Sequence, residues 1–127
     1  MRQIPLGAKG SFSLLVQPEH LADRFKDATL PPVLATPVMI MVMENAALNA
    51  IRAYLDPGES AVGTAVNVRH LAATPVGRLD YCGSRGDQSR RAAKSRSPSE
   101  QLMPGSSGTA RISRVVIDVA KFARRLE

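Results

Sequence analysis

ATPVMIMVMENAALNAI, Ala35 to Ile51, decides the reading of this chain, because its spacing predicts one long helix that is apolar on almost every side. Thr36 has the hydroxyl of an N-cap. Pro37 follows at N1, where a missing N–H costs nothing and a fixed φ suits the first turn. Asp56-Pro57-Gly58 is expected to close the helix. Between these ends, Val38 to Met43 and Ala46 to Leu48 leave no polar face before Asn49 and Arg52, so something else should enclose the helix. Glu44 lies in the middle of that surface. A carboxylate there is neutralised, paired or tuned for proton transfer, and the last is what a hydrolytic site requires. The apolar run ahead of Glu44 is about six residues, against the ~18 or more of a membrane span, so no membrane association is expected.

Strands are expected on either side of this helix. In SAVGTAVNVRHLAATPVG, Ser60 to Gly77, period two puts Val62, Thr64, Val66, Val68 and His70 on one face and Gly63, Ala65, Asn67 and Arg69 on the other. His70 thus continues an apolar face. Upstream, SFSLLVQ, Ser11 to Gln17, reads as a strand with Phe12, Leu14 and Val16 inward, and Pro18 to Lys26 as a short helix. Ile112 to Val119 reads as a last strand, followed by the basic tail Lys121 to Glu127. Strand, long buried helix, then strands is an α+β order that fits an antiparallel sheet wrapped around a helix.

The chain has 127 residues, which bounds it to a single domain, 1–127. Its one cysteine, Cys82, excludes an internal disulfide framework. With His20 and His70 as its two histidines, the sequence has no metal-ligand spacing and no glycine-rich phosphate loop, so neither metal nor cofactor is expected. Met1 to Gly10 lacks the apolar core of a signal peptide, and a cytoplasmic location is expected.

VLATPVMIMVMENAALNAI followed by YLDPGESAVGTAVNVRHLAATPVG resembles the hotdog-fold acyl-CoA thioesterases of the fluoroacetyl-CoA thioesterase type. The shared pattern is Ala-Thr opening the helix, Met-Glu-x-Ala within it, Val-Gly-Thr, and His-x-Ala-Ala-Thr-Pro. It covers residues 6 to 79 and resumes in RVVIDVAKF, Arg114 to Phe122. The resemblance implies a hotdog fold, a homodimer in which two sheets join, and hydrolysis of a small acyl-CoA thioester at the dimer interface. It also implies a catalytic group of Thr36, Glu44 and His70, with the Gly63 backbone N–H holding the thioester carbonyl. Arg114 is the candidate for the family's basic residue, although the family reads Gly-Thr-His-Glu-Arg where this chain has GTARISR. The family's fluoroacetyl-specific members carry lid phenylalanines before the Ala-Thr. This chain has DATLPPVLAT, with Leu30 and Leu34, which implies a short acyl group other than fluoroacetyl.

Each residue also has a structural reading. Thr36 is explained by capping alone, Glu44 by a buried hydrogen-bond network, His70 by a satisfied core histidine, and Gly63 by a bulge.

Tyr81 to Ser113, YCGSRGDQSRRAAKSRSPSEQLMPGSSGTARIS, departs from the pattern. It is rich in Ser, Arg, Gly and Pro, lacks apolar alternation, and is expected to be irregular where a hotdog domain has two core strands. Its arginines carry most of the net charge of +6, so the basicity is local. A basic loop for nucleic acid is disfavoured, because no aromatic residues interleave with the arginines. A flexible insertion beside the CoA phosphates is a second reading. A shifted reading frame is the favoured one, since permitted codons one or two bases later restore alternating strands. In that case the chain is a non-catalytic acyl-CoA binder or a structural dimer subunit.

Overall fold

The computed structural model describes residues 2–5, 7–85, 88–90, 94–99 and 107–127. In chain order the elements are strand β1 (Lys9–Leu15), short helix α1 (Ala22–Phe25), central helix α2 (Thr36–Ile51), and strands β2 (Glu59–His70), β3 (Leu79–Arg85), β4 (Gln88–Arg90), β5 (Lys94–Ser99) and β6 (Gly108–Asp118), with C-terminal helix α3 (Val119–Arg124). All strand pairs are antiparallel. β1 pairs with β3, and a second ladder runs β2-β6-β5-β4. β3 lies alongside β5, and strands of both ladders pack against α2.

α2 buries Val38, Met39, Val42, Met43, Ala46, Ala47, Ala50 and Ile51, pairs spaced by four that make one broad face toward the strands. Val16, Leu21, Leu34, Cys82, Ala110 and Ile112 complete the main core. A smaller cluster of Ile4, Ala8, Ile51 and Ala61 closes the other end. Gly10 permits the close seat of the helix on β1, since a Cβ there would meet the backbone of Ala46 and Ala50. Asn49 adds a pin, its Nδ2 donating to the Ser11 carbonyl at 2.9 Å.

β1 alternates as expected, with Phe12 and Leu14 turned inward and Val16 buried just beyond the strand. The expected short helix after it is a 3₁₀ turn, Pro18–His20, followed by α1. α2 ends at Ile51 rather than at Asp56. A 3₁₀ turn, Arg52–Tyr54, follows, and Gly58, at φ 83°, makes the turn into β2.

The described part of residues 81–113 corrects the expectation of an irregular segment. β3 is paired along seven residues with β1, and β5 and β6 are paired with each other. The alternation was hidden because the inward positions of β3 are Asp80, Cys82 and Ser84, two polar and one small, while Tyr81 faces out. Ladder hydrogen bonds are made by the backbone and do not require apolar side chains. Residues 86–87, 91–93 and 100–106 of that segment lie outside the described residues.

Candidate active site

Thr36 is the first residue of α2, and the N-cap position belongs to Ala35, whose backbone is extended. This corrects the expected cap: no side chain caps this terminus. The Thr36 hydroxyl turns instead to the sheet, where its Oγ1 lies 2.8 Å from Nδ1 of His70. That bond joins residues 34 apart in sequence and is partly buried. It fixes the imidazole plane and leaves Nε2 as the nitrogen available to other groups.

The segment before α2 is stitched to the same corner. Leu34 N–H donates to the Thr74 carbonyl at 2.8 Å and Ala35 N–H to the His20 carbonyl at 2.9 Å. Leu34 is therefore a core residue, and Leu30 is partly exposed.

Glu44 lies eight residues along α2 from Thr36, roughly 12 Å down the axis at about 1.5 Å per residue. It faces Gly63: a Cβ built on that glycine would lie 3.1 Å from Glu44 Oε1. Gly63 and His70 both point toward α2, although they are seven apart and strict alternation would set them on opposite faces. The register shift between Gly63 and Ala65 resolves this, because Thr64 is an extra residue in β2 that stands opposite no residue of β6 in the ladder. The single apolar face expected from Val62 to His70 is corrected accordingly: Ala61 and Gly63 face the helix before the bulge, and Val68 and His70 after it.

Arg114 sits on the inward face of β6 with Ala110 and Ile112, and is buried. Its Nη1 donates to the Glu44 carbonyl oxygen at 3.3 Å and its Nη2 to the Ala61 carbonyl oxygen at 2.5 Å. Its Nε is buried and has no hydrogen-bond partner among the described residues. Burial pulls the guanidinium below its ordinary range, and the Glu44 charge opposes that shift. The structure therefore attaches Arg114 to the backbone that carries Glu44, rather than displaying it at the surface.

One acid in this corner was not singled out from the sequence. Asp80 on β3 is buried and accepts a hydrogen bond from the Ser107 hydroxyl at 2.7 Å. Burial raises its carboxyl above the usual range, opposed by the hydrogen bonds from Ser107 and by the charge of His70. The available signal was the acid at an inward position of a period-two stretch, Asp80-x-Cys82-x-Ser84.

The arrangement supplies a hydroxyl-held imidazole, a carboxylate on an open helix face and a strand glycine, which are groups for moving a proton and receiving a carbonyl. Among the described residues, no cluster of His, Cys, Asp and Glu could hold a metal ion, and no helix is long and apolar enough to cross a membrane.

Residues 16–85 match the family described as fluoroacetyl-CoA-specific thioesterase. The chain belongs to that family. It is 50% identical over 50 residues to the fluoroacetyl-CoA thioesterase of Streptantibioticus cattleyicolor, a match covering 39% of this chain and 36% of that relative's length. Solved structures share the fold. A variant of the fluoroacetyl-CoA-specific thioesterase FlK in complex with fluoroacetate and CoA superposes with a TM-score of 0.80 at 28% identity, covering 93% of this chain and 98% of that one. A thioesterase superfamily member from Thermus thermophilus gives 0.83 at 30% identity, with 99% and 95% covered. The fold is thus the hotdog fold of these thioesterases.

Proposed function

We propose that this chain hydrolyses a small acyl-CoA thioester to the free acid and CoA, and that it does so as a homodimer. The observation that carries the reading is the Thr36–His70 pair: a helix-start hydroxyl turned away from capping to hold an imidazole. Family membership and the FlK complex with fluoroacetate and CoA support the substrate class.

In the proposed reaction Glu44 attacks the thioester carbonyl or draws a proton from the attacking water. The charge that develops on the carbonyl oxygen is met by the Gly63 N–H. As the tetrahedral species collapses, the C–S bond breaks and His70 Nε2 delivers a proton to the CoA thiolate. Where Glu44 is the nucleophile, the acyl group passes to its carboxylate as an anhydride, and a water deprotonated by His70 then cleaves that anhydride and restores Glu44; by either route the net change adds one water and releases a carboxylic acid and a thiol. Thr36 orients the imidazole throughout. Arg114, joined to the Glu44 carbonyl, steadies the helix turn that carries the acid and contributes positive charge near it.

Two features support the dimer. β2 is hydrogen-bonded only to β6 among the described strands, so its other edge is open for a second copy. Pro37 and Met41 are exposed and Ile40 and Glu44 only partly buried, a stripe of α2 that its own strands leave uncovered. The roughly 12 Å between Thr36 and Glu44 along one helix supports a site in which the imidazole of one protomer meets the carboxylate of its partner. Leu30 and Leu34 in place of lid phenylalanines favour a short acyl group other than fluoroacetyl, and a CoA-ester substrate accords with a cytoplasmic location.

The test is thiol release from a panel of short acyl-CoA esters by the purified chain, with circular dichroism and sedimentation on the same sample. Glu44→Ala and His70→Ala should each reduce release to background in a folded dimer. Unchanged kcat in either variant removes that residue from the mechanism. Binding of CoA esters by a folded chain without thiol release would favour the non-catalytic binder.

A further inference from the structure

Asp80 is an acid at 2% exposure, on a strand whose neighbouring inward positions are Cys82 and Ser84. A carboxylate so placed is costly unless its oxygens are satisfied. Ser107 satisfies them with both its hydroxyl, at 2.7 Å, and its own amide. The Ser107 carbonyl faces the other way. It accepts the N–H of Leu71 at 2.8 Å and of Ala72 at 3.0 Å, the two residues that follow His70. Gly108, next in the chain, stands opposite His70 in the β2–β6 register, and a Cβ there would run into the Arg69 carbonyl. One serine thus links β3 to the end of β2, with no slack between them.

We propose that Asp80 and Ser107 form a buried clamp that fixes the His70 end of β2 and so holds the imidazole on Thr36. They are positioning residues, since neither touches the reacting atoms. β2 needs such a device at this end. Its ladder with β6 stops at His70, and residues 71–78 form a connection without further strand pairing. An end residue of a strand frays unless its next amides are held, and fraying would rotate the imidazole away from the Thr36 hydroxyl. The Asp80 carboxylate supports the clamp because both of its oxygens are acceptors, whereas an asparagine would set an NH2 donor in place of one of them. Its charge also couples to the His70 ring. The kinetic consequence rests on the thioesterase reading; the orientation of the ring does not.

The experiment uses the full chain with ¹⁵N-labelled histidine, recording the ring nitrogens of His70 in the parent and in Ser107→Ala, Ser107→Thr and Asp80→Asn. His20, whose Nδ1 accepts the Gln17 amide at 3.0 Å, is the internal control. The parent should show one ring tautomer for His70 with Nδ1 hydrogen-bonded. Ser107→Ala and Asp80→Asn should show averaged ring nitrogens at His70 alone, and Ser107→Thr, which keeps the hydroxyl, should restore the parent signature. With acetyl-CoA as probe, Ser107→Ala should lower kcat about tenfold with KM little changed, as expected for lost orientation. Parent-like His70 signals in both Ser107→Ala and Asp80→Asn would overturn the clamp. So would rapid hydrogen exchange at Leu71 and Ala72 in the parent, a measurement that needs no variant. A parent that shows the His70 signature and slow exchange but releases no thiol would sink the thioesterase reading and leave the clamp standing.

Discussion

Adding one methyl group at Gly63 tests the candidate site directly. The Cβ of Gly63→Ala would lie 3.1 Å from Glu44 Oε1 and 3.8 Å from its Cδ, with no other neighbour within 4 Å among the described residues. Ordinary contact begins near 3.4 Å, so the carboxylate has to retreat by roughly 0.3 Å or rotate. It is the end of a flexible side chain, and Gly63 is itself exposed, so the fold should absorb the change within ~0.5 kcal/mol. Catalysis should not. A misplacement of about 1 Å costs on the order of a hundredfold, so a few tenths with altered rotation should reduce kcat roughly three- to tenfold. The assay is thiol release from acetyl-CoA beside urea denaturation of the same preparation. If Gly63 were only a bulge residue, the substitution would lower stability and leave kcat of the folded fraction untouched. That pattern would refute the placement of Glu44 and Gly63 in one site.

Three further outcomes follow from the same geometry. Gly10→Ala presses a methyl group on the Ala46 and Ala50 backbone, which cannot rotate aside, so urea denaturation should show a loss of at least ~2 kcal/mol; a loss below ~0.5 kcal/mol would mean α2 is not seated there. Thr36→Val should cost about 1 kcal/mol or less in stability, because no cap is lost, yet reduce kcat by ~100-fold, while Thr36→Ser keeps most of both; a large stability loss with unchanged kcat would restore the capping role. Asp80 titrates above the ordinary carboxyl range when folded, so between the unfolded and folded values the native state binds more protons and stability falls as pH rises. The melting temperature of Asp80→Asn should therefore gain on the parent as pH rises from about 4 and then level off; parallel curves would contradict the raised value.

Much of the architecture was legible in local pattern. The presence and start of α2 followed from an apolar run opened by Thr36-Pro37, and β1 from the alternation of Phe12, Leu14 and Val16. β3 was not legible, because Asp80 and Ser84 occupy inward positions where an apolar pattern would normally be read. Its pairing with β1 is a backbone matter, and its buried acid is satisfied by Ser107, 27 residues away. Arg114 came from the resemblance, as the candidate for the family's basic residue; its inward place on β6 and its bonds to carbonyls of α2 and β2 come from strand register.

By itself the sequence determined that a long helix would carry Glu44 and that His70 would end a strand, since helix and strand periods are local properties of the chain. The tertiary structure decided how those groups meet. Thr36 had two possible partners for one hydroxyl, a nearby amide or a distant imidazole, and only the approach of β2 to the start of α2 selected the imidazole. Gly63 and His70 have opposite parity along β2, and only the extra residue at Thr64, fixed by pairing with β6, turns both toward the helix. Register and hydroxyl partners are set by contacts between residues far apart in the chain, which periodicity within one segment does not encode.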